Sequence, residues 1–200
     1  MKKFCLGLAA VCFCGFAYSA DVILGQLGSD SRVAATGQEY AWKDGDDGAW
    51  QAGIPLPDPR FEIQSDTNVV LDFLTGLMWS RSFDLADGQQ NWTNGLITCS
   101  NLNVTAYGGY TDWRMPNVRE WVSLMDWSDA FIPTLSNIEG TGVWSNNYPF
   151  VCPTADSQYY LSTTTPTDSS GAYRGAMRKD WTFYSINRAT LEYILAVRGP

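Results

Sequence analysis

Residues 111–121 read TDWRMPNVREW and place a carboxylate, an arginine, a proline-set turn, a helix start and two tryptophans within eleven positions. Asp112, Glu120, Asp126 and Asp129 lie near one another, and a carboxylate pair is the hydrolytic device that works without histidine. The chain has no histidine, so His-based triads, His general bases and His metal sites are excluded. Two demands compete with catalysis. Asn117 and Glu120 have capping-box spacing, which commits Glu120 to its own helix start. Asp112 has Arg114 close by as an expected ion-pair partner. No catalytic residue is therefore expected. Asp112, Trp113, Arg114, Pro116, Asn117 and Glu120 are read as a structural motif, with a carboxylate hydrolase kept as an alternative.

Binding chemistry concentrates further along. The loop TGVWSNNYPF (141–150) supplies Trp144, Asn146, Asn147 and Tyr148. Tyrosine and tryptophan offer large contact area at low entropic cost, and asparagine offers adaptable hydrogen bonding. The following strands add Tyr173, Arg174, Arg178, Trp181, Tyr184 and Arg188, which concentrate positive charge on an otherwise acidic chain. These ten residues form the expected ligand-binding set. The competing reading makes the aromatics core and the charges solvated strand ends. Asp44, Asp46 and Asp47 cluster oxygens but lack EF-hand order, so a solvated turn is expected there and no metal or cofactor.

Several elements must position these groups. Val69–Phe73 and Leu77–Ser80 flank Thr75-Gly76 as a hairpin. Residues 91–102 form a helix capped by Asn91, with Trp92, Leu96 and Cys99 inward and Gly95 weakening it. A second helix starts at Asn117, buries Val118, Trp121, Val122 and Met125, and ends near Asp126-Trp127. Strands follow at 158–164, 172–177, 181–185 and 194–198, with a tight hairpin at Arg178–Asp180. Strands at both ends around two helices describe an α+β domain.

Residues 1–20 carry Lys2 and Lys3, a short apolar run and small residues near Asp21. This is the pattern of a secretory signal peptide, too short to span a bilayer with margin. Residues 21–60, rich in Gly, Asp and Pro, are read as an N-terminal extension, and 61–200 as the domain. Cleavage leaves 11 of the 13 basic residues against 21 acidic ones, a balance of −10. Such a surface repels polyanions, so nucleic acid is not an expected partner. Of five cysteines, Cys99 and Cys152 remain. In an oxidising compartment they are expected to pair, closing a long loop worth about 4 kcal/mol in the chain-entropy view. No later segment is apolar enough to span a membrane.

The ordered strings TGQ (36–38), PDPRF (57–61), DFLTGLMWSRS (72–82), GGYTDWRMPNVREWVSLMD (108–126), YYLSTTT (159–165) and AVRGP (196–200) resemble the Lcl C-terminal domain family, a bacterial secreted family. Met115, Leu161 and Ala196 depart from its usual Leu, Trp and Cys. The resemblance implies a compact α+β fold of C-type-lectin-like kind, with two helices, an antiparallel sheet and long loops. It also implies adhesion-type binding of a glycan or protein ligand. The Glu-Pro-Asn, Gln-Pro-Asp and Trp-Asn-Asp strings of calcium-dependent lectins do not occur, so any sugar is expected to bind by stacking and amide hydrogen bonds. The expectation is a non-enzymatic binding domain that is secreted, periplasmic or held at the cell surface. A structural envelope protein, including a homo-oligomer, is the alternative.

Overall fold

The computed structural model describes residues 33–66, 68–127, 134–135, 149–151, 159–165, 171–176 and 184–199. These form helices α1 (Asp47–Trp50), α2 (Trp92–Val104) and α3 (Val118–Ser123). The strands are β1 (Phe61–Ile63), β2 (Val69–Asp72), β3 (Met78–Ser80), β4 (Met125–Asp126), β5 (Thr134–Leu135), β6 (Tyr159–Leu161), β7 (Gly171–Ala176), β8 (Tyr184–Asn187) and β9 (Val197–Arg198). A four-stranded sheet runs β1-β2-β3-β9, a three-stranded sheet runs β6-β7-β8, and β4 pairs with β5, all antiparallel. The expected α+β class holds at this level.

The β2–β3 hairpin forms where expected, and its turn is built around Asp72. That buried carboxylate accepts from the Leu74 amide at 3.0 Å and the Thr75 hydroxyl at 2.9 Å. It also pairs with the fully buried Arg60 at 3.3 Å, while Gly76 supplies a φ of 71°. Arg60 donates as well to the Ser123 carbonyl, which ties the hairpin to the end of α3.

The four-stranded sheet has a core on each face, as period-2 alternation requires. Val70, Trp79 and Val197 stand in register and join Phe61, Phe83, Trp121, Leu124, Phe150 and Tyr160 on the α3 side. Val69, Met78 and Ala196 turn the other way and join Cys99, Trp113, Met115, Leu161 and Ile194 on the α2 side. A cluster of edge-to-face and tilted rings centred on Phe83 fills the first core, with centroids 4.8–6.1 Å apart.

α2 is capped by Asn91, whose side chain accepts from the Asn94 amide at 2.9 Å, and it runs two residues longer than expected. Gly95 strengthens its packing. A Cβ there would lie 2.6 Å from Ile194 Cδ1 and 2.7 Å from Met115 Cε, so glycine lets the helix settle against both. α3 ends at Ser123, short of the expected Asp126-Trp127. Met125 and Asp126 leave the helix to pair with Leu135 and Thr134. Consequently Trp121, Leu124 and Met125 are the buried residues, and Val118 and Val122 are half-buried.

β7 appears nearly as read. β6 is shorter, and β8 runs to Asn187, past the expected end at 185, with 181–183 outside the described residues. The Arg178–Asp180 hairpin lies outside the described residues. The expected 194–198 strand keeps a ladder only at its last two described residues. Upstream, Ala196 and Ser80 exchange two hydrogen bonds, Leu85 donates to Ile194, and Leu161 donates to Tyr193. The main chain there is thus shared among Ser80, Leu85 and Leu161.

Cys99 carries a free thiol, and Cys152, its expected partner, lies outside the described residues. The inward face of α2 turns the sulfur into the core, 4.0 Å from the Leu195 carbonyl. Burial pushes its pKa up to about 12. It shares this core with Ala196, the position where the resembled family usually has a cysteine.

Candidate functional site

The TDWR motif is fully engaged inside the fold. Arg114 does not pair with Asp112. Its guanidinium reaches Glu120 with two hydrogen bonds, at 2.7 and 2.5 Å, while its backbone exchanges two more with Val197. Asp112 instead meets Arg198, 86 residues away, at 2.6 Å, and Arg198 lies over the Tyr110 ring at 3.9 Å. The Arg198 hydrogen bond holds the Asp112 carboxyl below the usual range. At Glu120 burial pushes upward, but Arg114 and the Asn117 amide outweigh it and the net shift is down. The capping box is complete: Asn117 accepts from the Glu120 amide at 3.0 Å and donates its own to Glu120 at 2.8 Å.

The rest of the motif is anchored from elsewhere. Trp113 is buried, and Asn103 clamps its backbone by accepting from its amide at 2.5 Å and donating to its carbonyl at 2.9 Å. The Pro116 carbonyl accepts from the Thr163 amide at 2.9 Å, and Thr164 Oγ1 accepts from the Val118 amide at 3.1 Å. The threonines after β6 thus hold the turn that opens α3.

Trp144, Asn146, Asn147, Tyr148, Arg178 and Trp181 lie outside the described residues, and Tyr184 is described only through its backbone in β8. Tyr173, Arg174 and Arg188 are placed. Tyr173 and Arg174 are half-buried in β7. Arg174 forms an ion pair with Glu192, whose side chain is 3% exposed. Burial raises the Glu192 carboxyl, opposed by the Arg174 hydrogen bond and charge. Arg188 donates to the Gly171 carbonyl at 3.1 Å, and its guanidinium lies 4.7 Å from the Trp92 ring centre. Trp92 in turn donates to the Ser162 carbonyl at 3.0 Å. Both placed arginines therefore link the three-stranded sheet to its surroundings.

The acidic run gives a capped turn. Asp46 caps α1 and accepts from the Trp42, Lys43 and Ala49 amides, and Thr36 donates to Asp47. The Ala49 hydrogen bond leads the causes that hold the Asp46 carboxyl down. No cluster of three or more metal-ligating side chains occurs among the described residues. No helix among them is long and apolar enough to cross a membrane.

One surface feature sequence reasoning missed is a shallow groove of about 450 Å³ between α2 and residues 85–90. Asn94, Thr98, Asn101 and Thr105 line it along the helix, with Gln90 at one end. Leu85, Ile97 and Leu102 give it apolar patches, and none of the lining residues among those described is charged. Asn94 donates to Gln90 at 3.3 Å, which sets the two amides side by side. The signal was present in the chain: 94, 98, 101 and 105 recur at one-face helical spacing.

No curated protein matches the chain. A family model described as the Lcl C-terminal domain matches residues 68–198 of the 200, from β2 to the Arg198 that closes on Asp112. By that match the chain belongs to the Lcl C-terminal domain family.

Proposed function

We propose that the chain is a secreted or periplasmic, non-enzymatic binding domain of C-type-lectin-like fold. It recognises a glycan or protein ligand through the groove beside α2. The observation that carries the reading is the chemistry of that groove. Amides and hydroxyls succeed one another along one helix face around apolar patches, without a charge. A few placed polar groups on an otherwise apolar concavity are what fix a ligand's orientation. Asp112 and Glu120, the carboxylates a hydrolase would draw on, are occupied by Arg198, Arg114 and a helix cap.

The test is a glycan and protein array probed with the mature chain, with and without calcium, and repeated with the Asn94→Ala/Asn101→Ala double variant. Binding is expected without calcium and to weaken tenfold or more in the variant. Both positions are exposed, so each substitution should alter stability by only about 0.5 kcal/mol. Unchanged binding in the variant would move the ligand off this groove. Glycan turnover that disappears in Glu120→Gln would replace the binding reading with an enzymatic one.

A further inference from the structure

Residues 33–56 precede the family match and have a local order of their own. The Ala35 amide donates to the Ile54 carbonyl at 2.8 Å and the Ile54 amide to the Val33 carbonyl at 2.9 Å, closing the segment into a loop. Within it, the Asp46 carboxylate gathers three backbone amides at 2.7–3.2 Å. Gly48 is buried so tightly that a Cβ would come 2.0 Å from the Tyr40 carbonyl oxygen. The backbone from 40 to 51 is thus held from several sides.

That frame presents large rings to solvent: Tyr40 is 81% exposed, Trp42 89% and Trp50 74%. Tryptophan is highly buried on average, so indoles held outward on a fixed backbone point to a contact surface. The same segment holds a cavity of about 190 Å³, lined by Thr36, Gln38, Glu39, Gln51, Pro55 and Leu56. Tyr40 follows Glu39 and Trp50 precedes Gln51, which places two of the rings next to the wall in the chain. Gln38 donates to the Tyr40 carbonyl at 2.9 Å and Gln51 to the Glu39 carbonyl at 3.4 Å, so both amides are anchored.

We propose that residues 33–56 form a second binding site, outside the family domain, for an uncharged glycan. One sugar ring sits in the Thr36–Gln38–Gln51 cavity and neighbouring rings stack on Tyr40, Trp42 or Trp50. Three features set this ligand class. The cavity is smaller than the roughly 300 Å³ at which pockets for drug-sized ligands begin, which suits a single ring. Its wall offers amides, a hydroxyl and a carboxylate, the partners of sugar hydroxyls. Glu39, Asp44, Asp46 and Asp47 face only Lys43 in the segment, so a sulfated or uronic chain is repelled. The ligand class overlaps that proposed for the α2 groove, but the site is separate.

Calorimetric titration of the full mature chain with cello- and chito-oligosaccharides, and with heparin as the sulfated control, tests the assignment. Trp50→Ala and Gln51→Ala are each expected to weaken binding of an uncharged oligosaccharide tenfold or more with melting temperature unchanged, and heparin is expected not to bind. The Asn94→Ala/Asn101→Ala variant is expected to leave this binding intact. The assignment is overturned if no uncharged oligosaccharide binds, if the Trp50 and Gln51 variants bind as the parent does, or if heparin binds as tightly. Loss of binding only in the α2 variant would likewise sink this site while leaving the proposed function standing.

Discussion

Glu120 serves as ion-pair partner and helix cap at once. Its two oxygens take both Arg114 hydrogen bonds, and one of them also accepts the Asn117 amide. Removing the carboxylate in Glu120→Ala breaks both while Asn117 keeps its own cap, and the lost hydrogen bond to the Asn117 amide alone costs about 1 kcal/mol. Glu120→Gln can still accept from Asn117 and should lose less. The acid dependence has a definite sign. The folded-state pKa lies below the ordinary 4.5, so the charge contribution is complete above that value and disappears as pH falls through the lower, folded one. Glu192 works the other way: its raised pKa makes its charged form unfavourable to the fold, a cost that appears as pH rises past 4.5. A single acid melt therefore mixes two opposed slopes. Urea midpoints of the parent and Glu120→Gln, compared from pH 7 to pH 3, isolate one. The gap between them should narrow as the solution becomes acid; a constant gap would mean that the Arg114 pair contributes nothing.

α2 shows what the chain makes legible at the level of an element and what it hides. Its start at Asn91, the capping box at Asn117 and the Thr75-Gly76 hairpin were readable because each depends on groups within a few residues of one another. The end of α3 was not, since β4 captures Met125 and Asp126 through contacts with residues 134–135. Asp112 with Arg198, Arg60 with Ser123, and Cys99 beneath Leu195 join positions 63 to 96 residues apart, which no local pattern encodes. The groove is hidden for another reason: apolar periodicity marks only the inward stripe of the helix, whereas the uncharged outer face lines the groove. Gly95, a weak point by helix propensity, lets α2 settle closely against Ile194 and Met115. Gly95→Ala should be close to neutral, because about 1 kcal/mol of helix propensity offsets small movements of the Met115 and Ile194 chain ends. Gly95→Leu should lose about 1–3 kcal/mol through overpacking. Urea unfolding of the two variants checks the contrast, and equal stability would show that α2 does not rest on those side chains.

The whole molecule depends on its last described segment far more than on its first. Ile194 and Ala196 enter the core beneath α2, while Leu195 and Val197 enter the core beneath α3, so one stretch of chain belongs to both. The same stretch pairs with β3, with Arg114 and with Ser80, and Tyr193 receives the Leu161 amide. All four alternating residues are fully buried, and losing side chains of this size typically costs 2–5 kcal/mol each for Leu or Ile. Native domains are stable by only about 5–15 kcal/mol. A chain stopped after Glu192 should therefore not fold. The N-terminal segment stands in contrast: among the described residues, a backbone link onward is the Trp127 amide donating to Thr36 at 2.9 Å, while Ala35 and Ile54 bond within the segment. A chain beginning at Pro57 keeps Arg60 with Asp72 and the whole four-stranded sheet. It should remain folded, with a melting temperature within a few degrees of the parent. Circular dichroism melts of the two truncations separate the cases. A folded chain lacking residues 193–200 would show that the two cores are independent, and an unfolded chain lacking residues 21–56 would make the extension a structural part of the domain.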